Sequence, residues 1–100
     1  MNPETQVYLN GKIVPSSEAH IAIYDASVVL GATLTDMERT FGHQLFRLDE
    51  HLDRFFRSCK YARIVPTISK GQTRKIVEEL VHHNAQFMDS SQELGCIQFI

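Results

Sequence analysis

The chain contains few of the residues that mark several familiar protein classes. Its 100 residues include two cysteines, three prolines and no tryptophan. Cys59 and Cys96 have no CxxC or Cys/His spacing, so neither a disulfide framework nor a metal site is indicated, and both are expected to be small buried hydrophobes. No apolar run approaches the roughly 18 residues that a membrane helix requires. A membrane partner is therefore not expected.

The chain also lacks an excess of one charge. Ten Lys and Arg are interleaved with twelve Asp and Glu, giving a formal net charge of -2. No basic field is left to hold a phosphate backbone, so nucleic acid is not expected as a partner. The first six residues have neither the basic region nor the apolar region of a signal peptide. These features favour one compact domain in a cytoplasmic protein.

Short β-prone runs predict two hairpins at the front of the chain. Residues 7–14 are two such runs joined by Asn10 and Gly11, a dipeptide that tolerates positive φ at both central turn positions. Residues 33–41 are rich in β-branched and aromatic residues, and after a short turn residues 45–48 have the length of a paired return strand. We therefore expect two antiparallel pairs.

Two amphipathic helices follow, because the hydrophobic period changes from 2 to 3.6. Asp49 is the expected N-cap of the first helix, Pro66 ends it, and Ser69 is the expected N-cap of the second. The apolar stripe of the first comprises Leu48, Leu52, Phe55, Phe56, Cys59 and Ala62. That of the second comprises Thr73, Ile76, Val77, Leu80 and Val81. Both helices are expected to cover a sheet.

The remaining segments complete the predicted architecture. Residues 21–31 are interpreted as an irregular, partly buried connection, and residues 94–100 as an apolar closing strand. A free apolar terminal strand favours aggregation, so we expect the natural chain to continue beyond Ile100. Strands, two helices and one more strand predict an α+β domain over residues 1–100, with a mostly antiparallel sheet and two helices packed on one face.

Charged residues on the predicted strand 33–41 and on the first helix are candidates for chemistry. The strand mixes polar and core-sized residues on both faces, which suits either a pocket wall or an edge strand in water. Asp36 and Glu38 share a face and are interpreted as a solvated edge. Arg54 could pair with Glu50 at i−4 or bind a phosphate, and His51 is interpreted as a packing or capping histidine.

The order of these pieces resembles the opening of class IV aminotransferases, the fold-type IV pyridoxal phosphate enzymes. The motifs are V-Y-L-N-G-K-I-V-P, then Y-D-A-S-V-V-L-G-A-T-L-T-D-M-E-R-T-F, then G-H-Q-L-F-R-L-D-E-H-L-D-R-F-F-R-S-C-K-Y-A-R-I. The resemblance spans residues 7 to 100. It implies the small domain of the D-amino acid aminotransferase-like fold, as the amino-terminal part of a longer two-domain enzyme.

The resemblance assigns roles to particular residues. The arginine of the family's H-x-x-R motif binds the cofactor phosphate, and here it is Arg54. The family's substrate pocket receives side chains at the positions of Thr35, Met37 and Arg39, and Leu30 lies in a loop that reaches the partner subunit's pocket in a homodimer. Relatives usually have aromatic residues at the positions of Thr35 and Leu30. The smaller residues here leave the substrate class open.

The resemblance also implies what this chain does not contain. In relatives, the lysine that binds the cofactor lies beyond the length of this chain. None of the four lysines here occupies a matching position, so no catalytic residue and no metal ligand are expected, and the chain alone is expected to be inactive. The parent is expected to use pyridoxal phosphate to transfer the amino group between branched-chain or similar L-amino acids and 2-oxoglutarate. The alternatives are a D-amino acid aminotransferase, an aminodeoxychorismate lyase, or a truncated non-catalytic dimerisation or regulatory module.

Overall fold

A computed structural model describes residues 4–89 and 91–99 of the chain. The elements are β1 (Gln6–Leu9), β2 (Lys12–Pro15), α1 (Ala26–Val29), β3 (Thr35–Phe41), β4 (Gln44–Leu45), α2 (Leu48–Ala62), α3 (Lys70–Asn84) and β5 (Gly95–Phe99). One antiparallel sheet pairs β1 with β2, and the other has the order β4-β3-β5. The α+β prediction is confirmed, with two small sheets instead of one. Ile100 and the side chain of Cys96 lie outside the described part.

The first hairpin forms as its turn sequence predicts. Leu9 pairs with Lys12 across a two-residue turn, in which Asn10 has φ 50° and Gly11 has φ 86°. The hairpin is attached to the carboxyl end of α3 by Asn84. The Asn84 Nδ2 amide donates to the Gln6 carbonyl at 3.0 Å, and its Oδ1 accepts from the Gln6 N–H at 2.7 Å. These two hydrogen bonds hold the first hairpin against the end of α3, although Gln6 and Asn84 are 78 positions apart in the chain.

Helix α2 begins two residues earlier than predicted, with Arg47 in place of Asp49 as its N-cap. Arg47 precedes it in the left-handed region, at φ 53°, and makes no side-chain capping bond. The prediction of Asp49 as N-cap is wrong, because Leu48 is drawn into the core as the first helical residue. This early start also leaves β4 with only two residues, so the predicted return strand over 45–48 is too long. Asp49 instead lies in the first helical turn.

The start of α3 agrees with the prediction. The Ser69 side chain accepts from the Gln72 N–H, and the Gln72 side chain accepts from the Ser69 N–H, which makes a complete capping box. The apolar stripes of α2 and α3 meet in a common core of Leu48, Leu52, Val77 and Val81, with Leu45 packed against it. Each helix has 15 residues. Within the described ranges, no helix has both the length and the apolar character needed to cross a bilayer.

The connection between the hairpin and β3 is exposed, so the prediction that it is partly buried is wrong. Ile23, Tyr24 and Leu30 are 83%, 84% and 78% exposed. Asp25 caps α1 by accepting from the Ser27 N–H. With four residues α1 is a single turn, too short to bury an apolar face of its own.

Candidate functional site

Strand β3 has a polar inner face, where a buried strand face is usually apolar, and a mixed outer face. Its inner face carries Asp36, Glu38 and Thr40, which are 8%, 1% and 0% exposed. Its outer face carries Thr35, Met37, Arg39 and Phe41, all exposed. The solvated-edge interpretation of Asp36 and Glu38 is therefore wrong. The reason is topological, because β3 is the central strand and α2 contacts it.

Asp36 and Arg54 form a side-on ion pair between β3 and α2. The Arg54 Nε–H donates to Asp36 Oδ2 at 2.9 Å, and Nη2–H donates to Oδ1 at 2.8 Å. This bidentate geometry is the strongest arrangement available to an arginine and a carboxylate. The expected pair between Arg54 and Glu50 is absent from the described region, where Glu50 instead meets Arg47 at 3.4 Å.

His51 completes the cluster from one turn earlier in α2. Its Nδ1 lies 3.1 Å from Asp36 Oδ1 and 3.2 Å from Arg54 Nη2. A protonated Nδ1 donates to the carboxylate, and an unprotonated Nδ1 accepts from the guanidinium. The packing or capping interpretation of His51 is therefore replaced by a polar contact with Asp36. The spacing of three residues places both side chains on one helical face.

The ion pair fixes the charge of both partners. Hydrogen bonds from Arg54 lower the pKa of Asp36, and they outweigh the opposing effect of its burial. The carboxylate in turn raises the pKa of the Arg54 guanidinium, which therefore stays protonated. A buried carboxylate can persist in this position because a cation with two hydrogen bonds faces it.

Glu38 differs from Asp36 in having no such partner. Neither of its carboxyl oxygens has a hydrogen-bond partner among the described residues. Burial raises the pKa of Glu38 to about 7 and outweighs the opposing charge of His51, while the charge of Asp36 adds a weaker effect in the same direction as burial. The inner face of β3 thus carries one ionised carboxylate and one that is largely protonated below neutral pH.

A third acidic residue, Glu93, fastens the turn between β3 and β4. Its carboxylate accepts from Thr40 Oγ1 at 2.7 Å, from the Gly42 N–H at 2.8 Å and from the His43 N–H at 3.1 Å. These donors, Thr40 first, lower the pKa of Glu93 to about 2. Glu93 could not be singled out from the sequence, since its partners lie about fifty positions earlier in the chain.

The predicted substrate residues do not meet Arg54. Thr35, Met37 and Arg39 lie on the outer face of β3, where the Arg39 guanidinium stacks 4.0 Å from the centroid of the Phe41 ring. Leu30 ends α1 and is exposed. A groove of 580 Å³ lies elsewhere, beside Leu45, Arg74 and Glu78, and Arg54 does not line it. The substrate roles of these four residues stay predictions.

Arg54 retains groups that could hold an anion. Its side chain is 59% exposed, and no described residue is bonded to Nη1, since the Asp36 and His51 contacts use Nε and Nη2. The N–H groups of Nη1 are therefore suited to donate to a phosphate oxygen. No group of three or more histidine, cysteine or acidic residues is arranged to hold a metal ion within residues 4–89 and 91–99.

Comparison with known proteins gives consistent matches. A family model described as amino-transferase class IV matches residues 33–89. A D-alanine aminotransferase of Staphylococcus aureus is 31% identical over 93 residues, covering 92% of this chain and 30% of the relative. A putative branched-chain-amino-acid aminotransferase of Methanocaldococcus jannaschii is 29% identical over 79 residues, covering 79% of this chain and 27% of the relative.

A solved structure shares the fold. A branched-chain aminotransferase of Thermoproteus uzoniensis, crystallised with norvaline, superposes with a TM-score of 0.81 at 23% identity, covering 97% of this chain and 33% of that one. The chain thus spans about a third of the length of the proteins that it matches. Because the family model covers more than half of its residues, this chain belongs to the amino-transferase class IV family.

Proposed function

We propose that this chain is the amino-terminal small domain of a pyridoxal phosphate-dependent aminotransferase, with Arg54 as a ligand of the cofactor phosphate. One observation carries the proposal. Arg54 is held by a buried carboxylate, its side chain is 59% exposed, and its Nη1 makes no hydrogen bond among the described residues. A solved branched-chain amino acid aminotransferase with a TM-score of 0.75 to this chain is complexed with N-(5'-phosphopyridoxyl)-L-glutamate, which supports the assignment of the cofactor.

The residues of this chain would bind and orient the cofactor and the substrate. When bound, the cofactor supplies the electron sink for amino-group transfer, and the lysine for that chemistry is expected in the rest of the parent. Arg54 would hold the phosphate by charge-assisted hydrogen bonds. On the outer face of β3, Thr35, Met37 and Arg39 would shape the substrate side, and Leu30 would reach the pocket of a second subunit in a homodimer.

We further propose that the parent is a cytoplasmic enzyme that acts on branched-chain or similar L-amino acids, with 2-oxoglutarate as acceptor. The fold match to branched-chain aminotransferases supports this substrate class. A D-amino acid aminotransferase is the second candidate. It is favoured by the D-alanine aminotransferases of Staphylococcus and Listeria, which match 79% to 92% of this chain.

The test begins by sequencing the source transcript past Ile100 and producing the whole parent protein. Amino-group transfer to 2-oxoglutarate is then measured from L-leucine, L-valine and D-alanine. Transfer from the L-amino acids supports the first candidate, and transfer from D-alanine alone supports the second. In the same protein, Arg54→Ala is expected to weaken cofactor affinity about thirty-fold. Arg57→Ala, one turn along α2, is the matched control, and unchanged affinity in Arg54→Ala would remove Arg54 from the site.

A further inference from the structure

We infer that Asp36 is a positioning residue, which restricts a bound phosphate to the Nη1 end of the Arg54 guanidinium. This inference rests on the proposed phosphate role of Arg54 and adds the direction from which the anion binds. The resemblance implies the phosphate role of Arg54 but not which of its nitrogens is available. The geometry of the cluster determines that.

An arginine offers an anion two edges that donate in parallel. The side edge consists of Nε and Nη2, and the outer end is formed by Nη1 and Nη2. In this chain Asp36 occupies the side edge, at 2.9 and 2.8 Å. The Nδ1 atom of His51 lies 3.2 Å from Nη2, which leaves Nη1 as the open nitrogen of the outer end.

A phosphate does not readily displace Asp36 from the side edge. The Asp36 side chain is 5% exposed, whereas that of Arg54 is 59% exposed. Separating the pair would leave a carboxylate buried without its cation, which is strongly destabilising. A phosphate therefore binds Arg54 while the pair with Asp36 stays intact, and Asp36 keeps the guanidinium in the same orientation before and after binding.

The experiment follows the nitrogens of Arg54 directly in the ¹³C,¹⁵N-labelled chain. The Arg54 Nε–H signal is assigned by its loss in Arg54→Lys, and the Nη signals are recorded through Cζ. The probes are inorganic phosphate and pyridoxine phosphate, which has the phosphate of the cofactor but no aldehyde to react with lysines. Pyridoxine without phosphate is the control. We expect the Nη signals to shift with either phosphate probe while Nε–H stays in place.

Variants at Asp36 separate positioning from a general structural role. In Asp36→Asn the side edge loses its ionic partner, so the Nε–H signal is expected to respond to phosphate, whereas Asp36→Glu is expected to restore the wild-type pattern. Backbone amide spectra report whether each variant is folded, and the wild-type titration alone already decides the matter. A phosphate-induced Nε–H shift in wild type equal to that in Asp36→Asn would overturn the inference. A response from no Arg54 nitrogen would also overturn the inference, whereas the proposed phosphate role itself is overturned by unchanged cofactor affinity of Arg54→Ala in the parent protein.

Discussion

Arg54 lies side-on to Asp36, with its Nε 2.9 Å from Oδ2 and its Nη2 2.8 Å from Oδ1. This pair joins the exposed face of α2 to the buried face of β3. The contact that orders the candidate site therefore also holds a helix on its sheet. Stability and anion binding can be separated only by measuring both.

Removal of Arg54 is expected to destabilise the domain. Arg54→Ala leaves Asp36 buried without its cation, so the midpoint of thermal unfolding at pH 7 is expected to fall by about 5 °C. Arg57→Ala, an exposed arginine on the same helix, is expected to change the midpoint little. Circular dichroism melts of the three proteins make the comparison. Equal melting of both variants and wild type would show that the ion pair contributes nothing.

The pair of Asp36 and Arg54 is expected to make the difference in stability between wild type and Arg54→Ala depend on pH. The pKa of Asp36 is lowered in the folded state, so its contribution is present above the pKa of an unfolded aspartate and is lost as pH falls through the folded value. The gap in stability between wild type and Arg54→Ala is therefore expected to narrow as pH falls below about 4. Urea unfolding from pH 7 down to pH 3 measures the gap, and a gap at pH 3 as large as that at pH 7 would contradict the assignment.

Replacement of Glu38 is expected to stabilise the domain, most strongly in alkaline solution. Its pKa is raised from 4.5 to about 7, so its pH-dependent contribution to stability is fully present below pH 4.5 and is lost as pH rises through 7. Glu38→Met removes the buried carboxyl and is expected to gain up to about 3 kcal/mol in free energy of unfolding at pH 8. The gain is expected to shrink at pH 4.

Urea unfolding at both pH values measures the effect of Glu38→Met. The matched control is Glu79→Met on the exposed side of α3, where the same substitution removes no buried charge. A gain that is the same at pH 4 and pH 8 would mean that the methionine side chain packs better and that ionisation of Glu38 plays no part.

Glu93→Gln is expected to loosen the turn between β3 and β4. The carboxylate accepts three hydrogen bonds, and the pKa of Glu93 is lowered to about 2, so its contribution is present above pH 4.5 and is lost as pH falls toward 2. Amide exchange at Gly42 and His43 is expected to be faster in the variant at pH 6 than in wild type, and similar near pH 2. Exposed Glu18→Gln serves as control.

Two glycines are expected to respond to alanine with opposite sign. Gly11 has φ +86° in the first hairpin, a conformation that strains any side chain even though nothing obstructs the added carbon, so Gly11→Ala is expected to cost about 1 kcal/mol. Gly71 is helical, and its added carbon would approach only Ser69 Oγ, at 3.9 Å, so Gly71→Ala is expected to gain about 0.5 kcal/mol. Denaturant unfolding measures both, and a loss in both would contradict the helical assignment.

Features set by neighbouring residues could be predicted from the sequence, whereas the candidate site required distant contacts. Asn10 and Gly11 determine their turn through allowed φ values, and Ser69 and Gln72 form their capping box within one helical turn. Asp36 and Arg54 are 18 residues apart, and the pair exists only because α2 folds back on β3. Arg54 had a closer expected partner in Glu50, which is four residues away. Sequence spacing alone therefore pointed to Glu50, whereas the carboxylate that pairs with Arg54 is Asp36.

The polar inner face of β3 has a consequence for how this sequence can change. An apolar substitution at Glu38 would stabilise the domain. An apolar substitution at Asp36 would remove a buried charge, provided that Arg54 was replaced as well. Selection for stability alone would therefore drive the inner face of β3 toward an ordinary hydrophobic strand. The carboxylate that directs Arg54 would be lost along the way. Retention of acidic residues on this face is the trace that selection for ligand binding would leave among relatives of this chain.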